Sequence, residues 1–226
     1  MTLLRRHRSF CVGQRPHRTA LRCGFFLFST VFVACSDDKP VAFPDGLEPL
    51  EEIKVDAPVG TSADPFPEEI NWISGDEGDY GWIHARGYIK ASPAETWEAL
   101  REPTVFVDID KVVEYSVEEQ NSSEYDYVFV VDNLVEDIVD VEFQVEWRHG
   151  VVDGDLSEPS MVGVRWQKIN GTEFIESLEG SIVLLSVKDE PNITEIQIIE
   201  HLSALMDQED NAIDYVTGLY ARWRSY

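Results

Sequence analysis

Across residues 141–148 apolar and polar side chains alternate without a break, Val141, Phe143, Val145 and Trp147 against Glu142, Gln144, Glu146 and Arg148. A period of two is the pattern of an antiparallel strand with one face on a core and the other in water. Less regular β-branched and aromatic runs predict strands over 81–90, 112–119, 125–132, 161–169, 173–178, 181–187 and 194–203. Turn chemistry separates them at Asn121-Ser122-Ser123, Asp153-Gly154-Asp155, Asn170-Gly171 and Pro191-Asn192, with a hairpin expected at Asn170-Gly171. Two stretches change to a helical period. Ser92-Pro93-Ala94-Glu95 combines an N-cap serine, proline at the first helical position and glutamate at the third. The helix it starts carries Trp97 and Leu100 on one face, and Pro103 ends it or begins a second short turn reaching Ile109. From 208 to 224, Ala212, Tyr215, Val216, Leu219, Tyr220 and Trp223 recur on one stripe. A lone helix of that length is marginal in water, so the stripe must dock on the sheet.

The first 78 residues follow neither period. An acid-free head with Arg5, Arg6, Arg8, Arg15, Arg18 and Arg22 precedes an apolar run over 24–34 that ends at Cys35. About eleven apolar residues are too few to span a bilayer as a helix, so the segment reads as an export signal. Val33-Ala34-Cys35 resembles the lipobox of bacterial lipoproteins, in which the cysteine is acylated and becomes the new N-terminus; Phe32 departs from the usual leucine. The alternatives are an ordinary cleaved signal peptide followed by a cysteine, or an arginine-rich transit peptide. Residues 35–78 carry Pro40, Pro44, Pro49, Pro58, Pro65 and Pro67 among scattered acids and read as a disordered tether. Residues 79–226 then form one folded domain.

Charge narrows the partners. The chain carries a formal charge of −25, and without the six signal arginines 12 basic face 43 acidic side chains, a charge near −31. Such a body repels nucleic-acid and anionic-lipid phosphates, so membrane attachment would come from acyl chains on Cys35. Cys11 and Cys23 leave with the signal, which removes any disulfide or cysteine nucleophile from the domain. His84, His149 and His201 lie on separate strands without a short ligand spacing, and neither Asp108/Asp110 nor Asp207/Asp210 has the pattern of a calcium loop. No metal and no cofactor is expected. Asp207 instead suits the start of the last helix.

Strand, two short helices, a long run of strands and a closing amphipathic helix is the order of an α+β helix-grip fold. Ala91-Ser92-Pro93-Ala94-Glu95-Thr96-Trp97-Glu98-Ala99-Leu100 resembles the first-helix opening of the START-like (SRPBCC) superfamily, which includes birch-pollen-allergen-like, polyketide cyclase/dehydrase and lipid-transport branches. The resemblance implies a curved antiparallel sheet wrapped around the long C-terminal helix, with two short helices after the first strand. It also implies a cavity for an apolar molecule between sheet and helix. Phe143, Val145, Trp147, Val164, Trp166, Tyr215, Leu219 and Trp223 are its candidate walls, or else they fill a solid core. Arg86, Glu200 and His201 are the polar candidates for orienting a ligand head group, unless they sit on the wet face. The expectation is thus a lipid-anchored protein of the bacterial cell envelope that binds or carries a hydrophobic small molecule or lipid. Ser36 after Cys35 resembles the pattern sent to the outer membrane, facing the periplasm or exterior. The competing readings are a cyclase- or dehydratase-like enzyme, which requires a buried acid or histidine of shifted pKa facing the pocket, and an interaction module with a filled core.

Overall fold

The first strand of the sheet lies where the sequence predicts a tether. In the computed structural model, which describes residues 41–136 and 139–226, the elements run β1 (Ile70–Asp76), β2 (Gly81–Ile89), α1 (Pro93–Leu100), α2 (Pro103–Phe106), β3 (Val112–Gln120), β4 (Tyr127–Glu136), β5 (Asp140–Asp155), β6 (Glu158–Gly171), β7 (Ile175–Val187), β8 (Glu190–Ala204) and α3 (Gln208–Ser225). The signal-like segment and Cys35 lie outside the described residues. All eight strands join one antiparallel sheet in the order β1-β2-β8-β7-β6-β5-β4-β3. The helices cover one face of it. This is the predicted helix-grip arrangement, except that the short helices follow the second strand.

Local signals explain the helices. Ser92 Oγ accepts from the Glu95 amide while the Glu95 carboxylate accepts from the Ser92 amide at 3.0 Å, a complete capping box. Asp207 stands at the N-cap position of α3 but makes no side-chain cap bond and holds a left-handed backbone, φ 50°. Glu209 and Asp210 in the first turn, with Arg222 and Arg224 in the last, complement the helix dipole instead. The C-terminal half of α3 is pinned. Trp223 Nε1 donates to the Thr96 carbonyl at 2.8 Å, Tyr220 Oη to that of Tyr88 at 2.9 Å, and Arg222 Nε to that of Val105 at 2.9 Å.

Residues 41–69 form a strap over the outer face of the sheet, and this corrects the tether reading for everything after residue 40. Leu47 is 1 % exposed. It sits over Gly150 and Gly163, which pair across β5 and β6; a Cβ on Gly150 would come within 2.6 Å of Leu47 Cδ1. Farther on, the Leu50 amide donates to Ser181 Oγ at 3.0 Å and the Lys54 amide to His84 Nδ1 at 3.3 Å. The Glu51 carboxylate meets His84 Nε2 at 3.1 Å and His201 Nε2 at 3.3 Å. Burial alone would raise the Glu51 pKa, but Lys54 and the two histidines hold it below the ordinary value. Each anchor is one side chain or one backbone amide at an irregular interval, which explains why no period marks the strap.

The strands differ from expectation mainly at their ends. The two runs around Gly180 are one strand, β7, because Gly180 faces the core opposite Trp166 and leaves the space the indole fills. The β7–β8 turn falls at Lys188-Asp189, with Asp189 at φ 64°, so Pro191-Asn192 lies inside β8. Leu156-Ser157 makes the β5–β6 turn, placing Asp153-Gly154-Asp155 within β5. Asn170-Gly171 ends β6 ahead of a wider connection to β7 than a two-residue hairpin.

Candidate functional site

Along β4, β5 and β8 the inward residues change character from one end of the sheet to the other. At the α1 end, Val164, Leu219 and Trp223 pack in a solid core. In the middle stands an aromatic wall: Trp147 stacks on Trp166 at 4.9 Å between ring centroids, and Phe106 meets Phe129 at 4.7 Å and Trp147 at 5.6 Å. Beyond that wall the N-terminal half of α3, the chain from α2 into β3 and the inner face of the sheet do not close on one another. They leave a cavity of about 640 Å³ that opens to solvent. This is within the range of roughly 300–1,000 Å³ usual for small-molecule sites.

Five of the eight predicted wall residues line this cavity: Phe143, Val145, Trp147, Trp166 and Tyr215. Val164, Leu219 and Trp223 do not, because the pinned end of α3 closes on them. Of the polar candidates only Glu200 lines it. Arg86 and His201 point from the outer face, where Arg86 Nε donates to Glu195 at 2.9 Å and His201 stacks near Tyr80 and binds Glu51. Strand parity explains the division: Glu200 shares the inward side of β8 with Ile198 and Leu202, and His201 the outward side. The sequence reading missed Phe106, Asn133 and Leu202 in the walls and an apolar mouth at Val113, Val139, Phe174, Leu205 and Met206, all five exposed. The alternation Val131, Asn133, Val135 was the available signal on β4. Leu205-Met206, an apolar pair just before a helix start, was the signal at the mouth.

The electrostatics of the inner end are unusual. Glu200 is 1 % exposed and its Oε2 has no hydrogen-bond partner. Burial drives its pKa well above the ordinary 4.5, and Asp108 adds to this. The indole N–H of Trp166 lies beside the carboxyl and draws the pKa back by more than Asp108 raises it, but without the geometry of a full hydrogen bond, so Trp166 Nε1 has no full partner either. Burial thus favours the neutral, proton-bearing form of the Glu200 carboxyl. Tyr215 spends its hydroxyl on the Phe106 carbonyl at 2.9 Å; burial, then the neighbouring Glu200, raises its pKa well above 10. Lys111, at the mouth, is held by Asn211 Oδ1 at 3.0 Å and Asp214 Oδ2 at 3.2 Å.

His149 is the other buried titratable group. It lies behind the aromatic wall, accepting from Trp97 Nε1 at 3.0 Å through Nδ1, and burial followed by Arg101 lowers its pKa to about 3. His84, on the outer face, is lowered first by burial, against the pull of Glu51. Among the described residues no group of three side chains is placed to hold a metal ion.

No protein-family model matches the chain, and no curated protein matches it by sequence. Solved structures do match. A STAR-related lipid transfer protein from Xanthomonas axonopodis superposes with a TM-score of 0.51 at 14 % identity, over 70 % of this chain and 93 % of that one. Ara h 8.0201 follows with 0.41 at 14 % identity, over 70 % and 97 %. The ZhuI aromatase/cyclase from Streptomyces sp. R1128 gives 0.37 at 9 % identity, over 70 % and 88 %. With the first of these and the strand order above, the chain has the START-like helix-grip fold.

Proposed function

We propose that this chain binds or carries a hydrophobic small molecule or lipid in the cavity between its sheet and the N-terminal half of α3. The observation that carries the reading is the cavity itself: about 640 Å³, walled by Phe143, Val145, Trp147 and Leu202 and open at one end. Burying apolar ligand surface there is favourable by roughly 25 cal/mol per Å² removed from water, and the preformed walls lower the ordering cost. A filled-core interaction module would lack such a space. The lipid-transfer activity named for the Xanthomonas protein agrees with the reading. We further propose that Cys35 is acylated and holds the protein at the bacterial cell envelope, on the resemblance of Val33-Ala34-Cys35 to a lipobox.

Glu200 favours a second reading, an acid–base enzyme, because a buried neutral acid facing the pocket is what that class requires. The carrier reading stands first because, among the described residues, Glu200 Oε2 has no hydrogen-bond partner that would relay its proton, and the Tyr215 hydroxyl is engaged by the Phe106 carbonyl. The test is binding of the neutral dye N-phenyl-1-naphthylamine to the full chain, read by energy transfer from Trp147 and Trp166, together with native mass spectrometry for a co-purified apolar molecule. Saturable dye uptake is expected, and Phe143→Arg abolishes it. Absence of both dye uptake and any bound molecule overturns the reading. Acylation is checked by labelling with an alkyne fatty acid, which Cys35→Ser eliminates.

A further inference from the structure

At the inner end of the cavity two buried polar atoms lack a full hydrogen bond, Glu200 Oε2 and Trp166 Nε1, beside the apolar side chains of Phe106, Trp147 and Leu202. Buried polar atoms without partners are rare because each forfeits the hydrogen bond it had in water. The fold tolerates two of them side by side, at the end of a cavity that opens to solvent. A site that hydrogen-bonds a ligand leaves such groups unpaired until the ligand arrives. Resting on the carrier reading above, we infer that the occupant is an uncharged, mainly apolar molecule with a hydrogen-bond-accepting oxygen at the end that enters first, gripped by the Glu200 carboxyl and the Trp166 indole N–H.

The charge at the site selects this class over its rivals. A neutral carboxyl and an indole are both donors, so a carbonyl, ester or hydroxyl oxygen satisfies the two together. A carboxylate head would be stripped of water with no cation to meet it, since Lys111 is tied to Asn211 and Asp214 at the mouth. An ammonium head gripped at Glu200 would require that carboxyl to ionise where burial and Asp108 oppose it; the carboxylates of Asp108, Asp110, Glu136 and Asp207 also line the cavity, so a cationic head is the rival the probes must separate. The tail of a head-first molecule would run toward Val113, Phe174 and Met206, the apolar residues at the opening.

Displacement of N-phenyl-1-naphthylamine from the full chain tests this, with n-dodecane, 2-dodecanone and dodecylamine as matched probes. The ketone is expected to displace the dye at roughly tenfold lower concentration than the alkane, the size of one or two net hydrogen bonds. Glu200→Leu should bring ketone and alkane within about twofold of each other, read as the ratio of their displacing concentrations in that variant. Glu200→Gln, whose amide still donates, should keep most of the preference, and Trp166→Phe should lose part of it. Equal displacement by ketone and alkane in the unaltered protein overturns the inference and leaves the carrier reading standing. Preference for the amine, lost in Glu200→Gln, overturns it in favour of a cationic ligand. Failure of all three probes and of the dye removes the carrier reading itself.

Discussion

Glu200 and His149 place opposite pH dependences inside one fold. Glu200 has its folded pKa raised, so the stability linked to its proton is complete below about 4.5 and is lost as pH rises through the window up to the folded value. The slope is roughly 1.4 kcal/mol per pH unit. Glu200→Gln removes it, so the melting-temperature difference between variant and unaltered protein should widen in the variant's favour from pH 5 to 7.5; a constant difference would show that the carboxyl is not buried neutral. His149 has its folded pKa lowered to about 3, so its contribution is complete above 6.5 and lost as pH falls. Denaturation of His149→Gln, which keeps an acceptor for Trp97 but does not titrate, should show a stability deficit that shrinks by roughly 1.4 kcal/mol per unit from pH 6.5 to 4.5. Parallel curves would count against burial of the neutral imidazole. That Glu200 and not its neighbour His201 faces inward follows from strand parity alone. The alternation of β8 contained that information, but the inward side carries a charge-bearing residue between Ile198 and Leu202, and a pattern that breaks its own rule does not declare which side is the core.

The elements that were legible are those whose stability is local. The capping box of α1, the alternation of β5 and the stripe of α3 are written in neighbouring residues, and all three stand where expected. The strap and β1 were not legible because their reason for order is distant: Leu47 is fixed by two glycines more than a hundred positions away, and Glu51 by histidines on β2 and β8. This dependence gives a prediction. Leu47→Ala empties the seat over Gly150 and Gly163 and should cost about 2 kcal/mol or more. Hydrogen exchange should show the Leu50 and Lys54 amides losing protection well before those of β5 and β6. Uniform loss across the sheet would mean that the strap and the sheet open together. The cavity was half legible for a related reason. Its walls were visible as apolar strand faces, but whether α3 closes on them depends on Trp223, Tyr220 and Arg222 reaching backbone carbonyls on α1, β2 and α2 respectively, which no spacing in α3 encodes.

At the scale of the molecule, one end of the helix grip is packed solid and the other is hollow. Occupancy of the hollow end should stabilise the whole, since a ligand that binds only the folded chain adds about 2.7 kcal/mol at a hundred times its dissociation constant. A melting-temperature rise with 2-dodecanone that vanishes in Phe143→Arg checks this, and no rise at saturation would place binding elsewhere. The sheet as a whole has two outer strands, and both are protected. β3 carries Glu114, Glu118 and Glu119; β1 is short, follows Pro65 and Pro67, and ends at Asp76. β2, directly inside β1, has no such defence: all nine of its residues pair with β8 and seven of them, Gly81 to Gly87, with β1, and the only charged side chain among them is Arg86. A chain begun at Asp79, where the sequence alone would set the domain boundary, exposes that row of amides and carbonyls and uncovers Ile199 and His84 on the outer face. Such a fragment has an open β-edge that another copy can extend, and the seven residues of β1 are what make the sheet end in water instead of in its own duplicate.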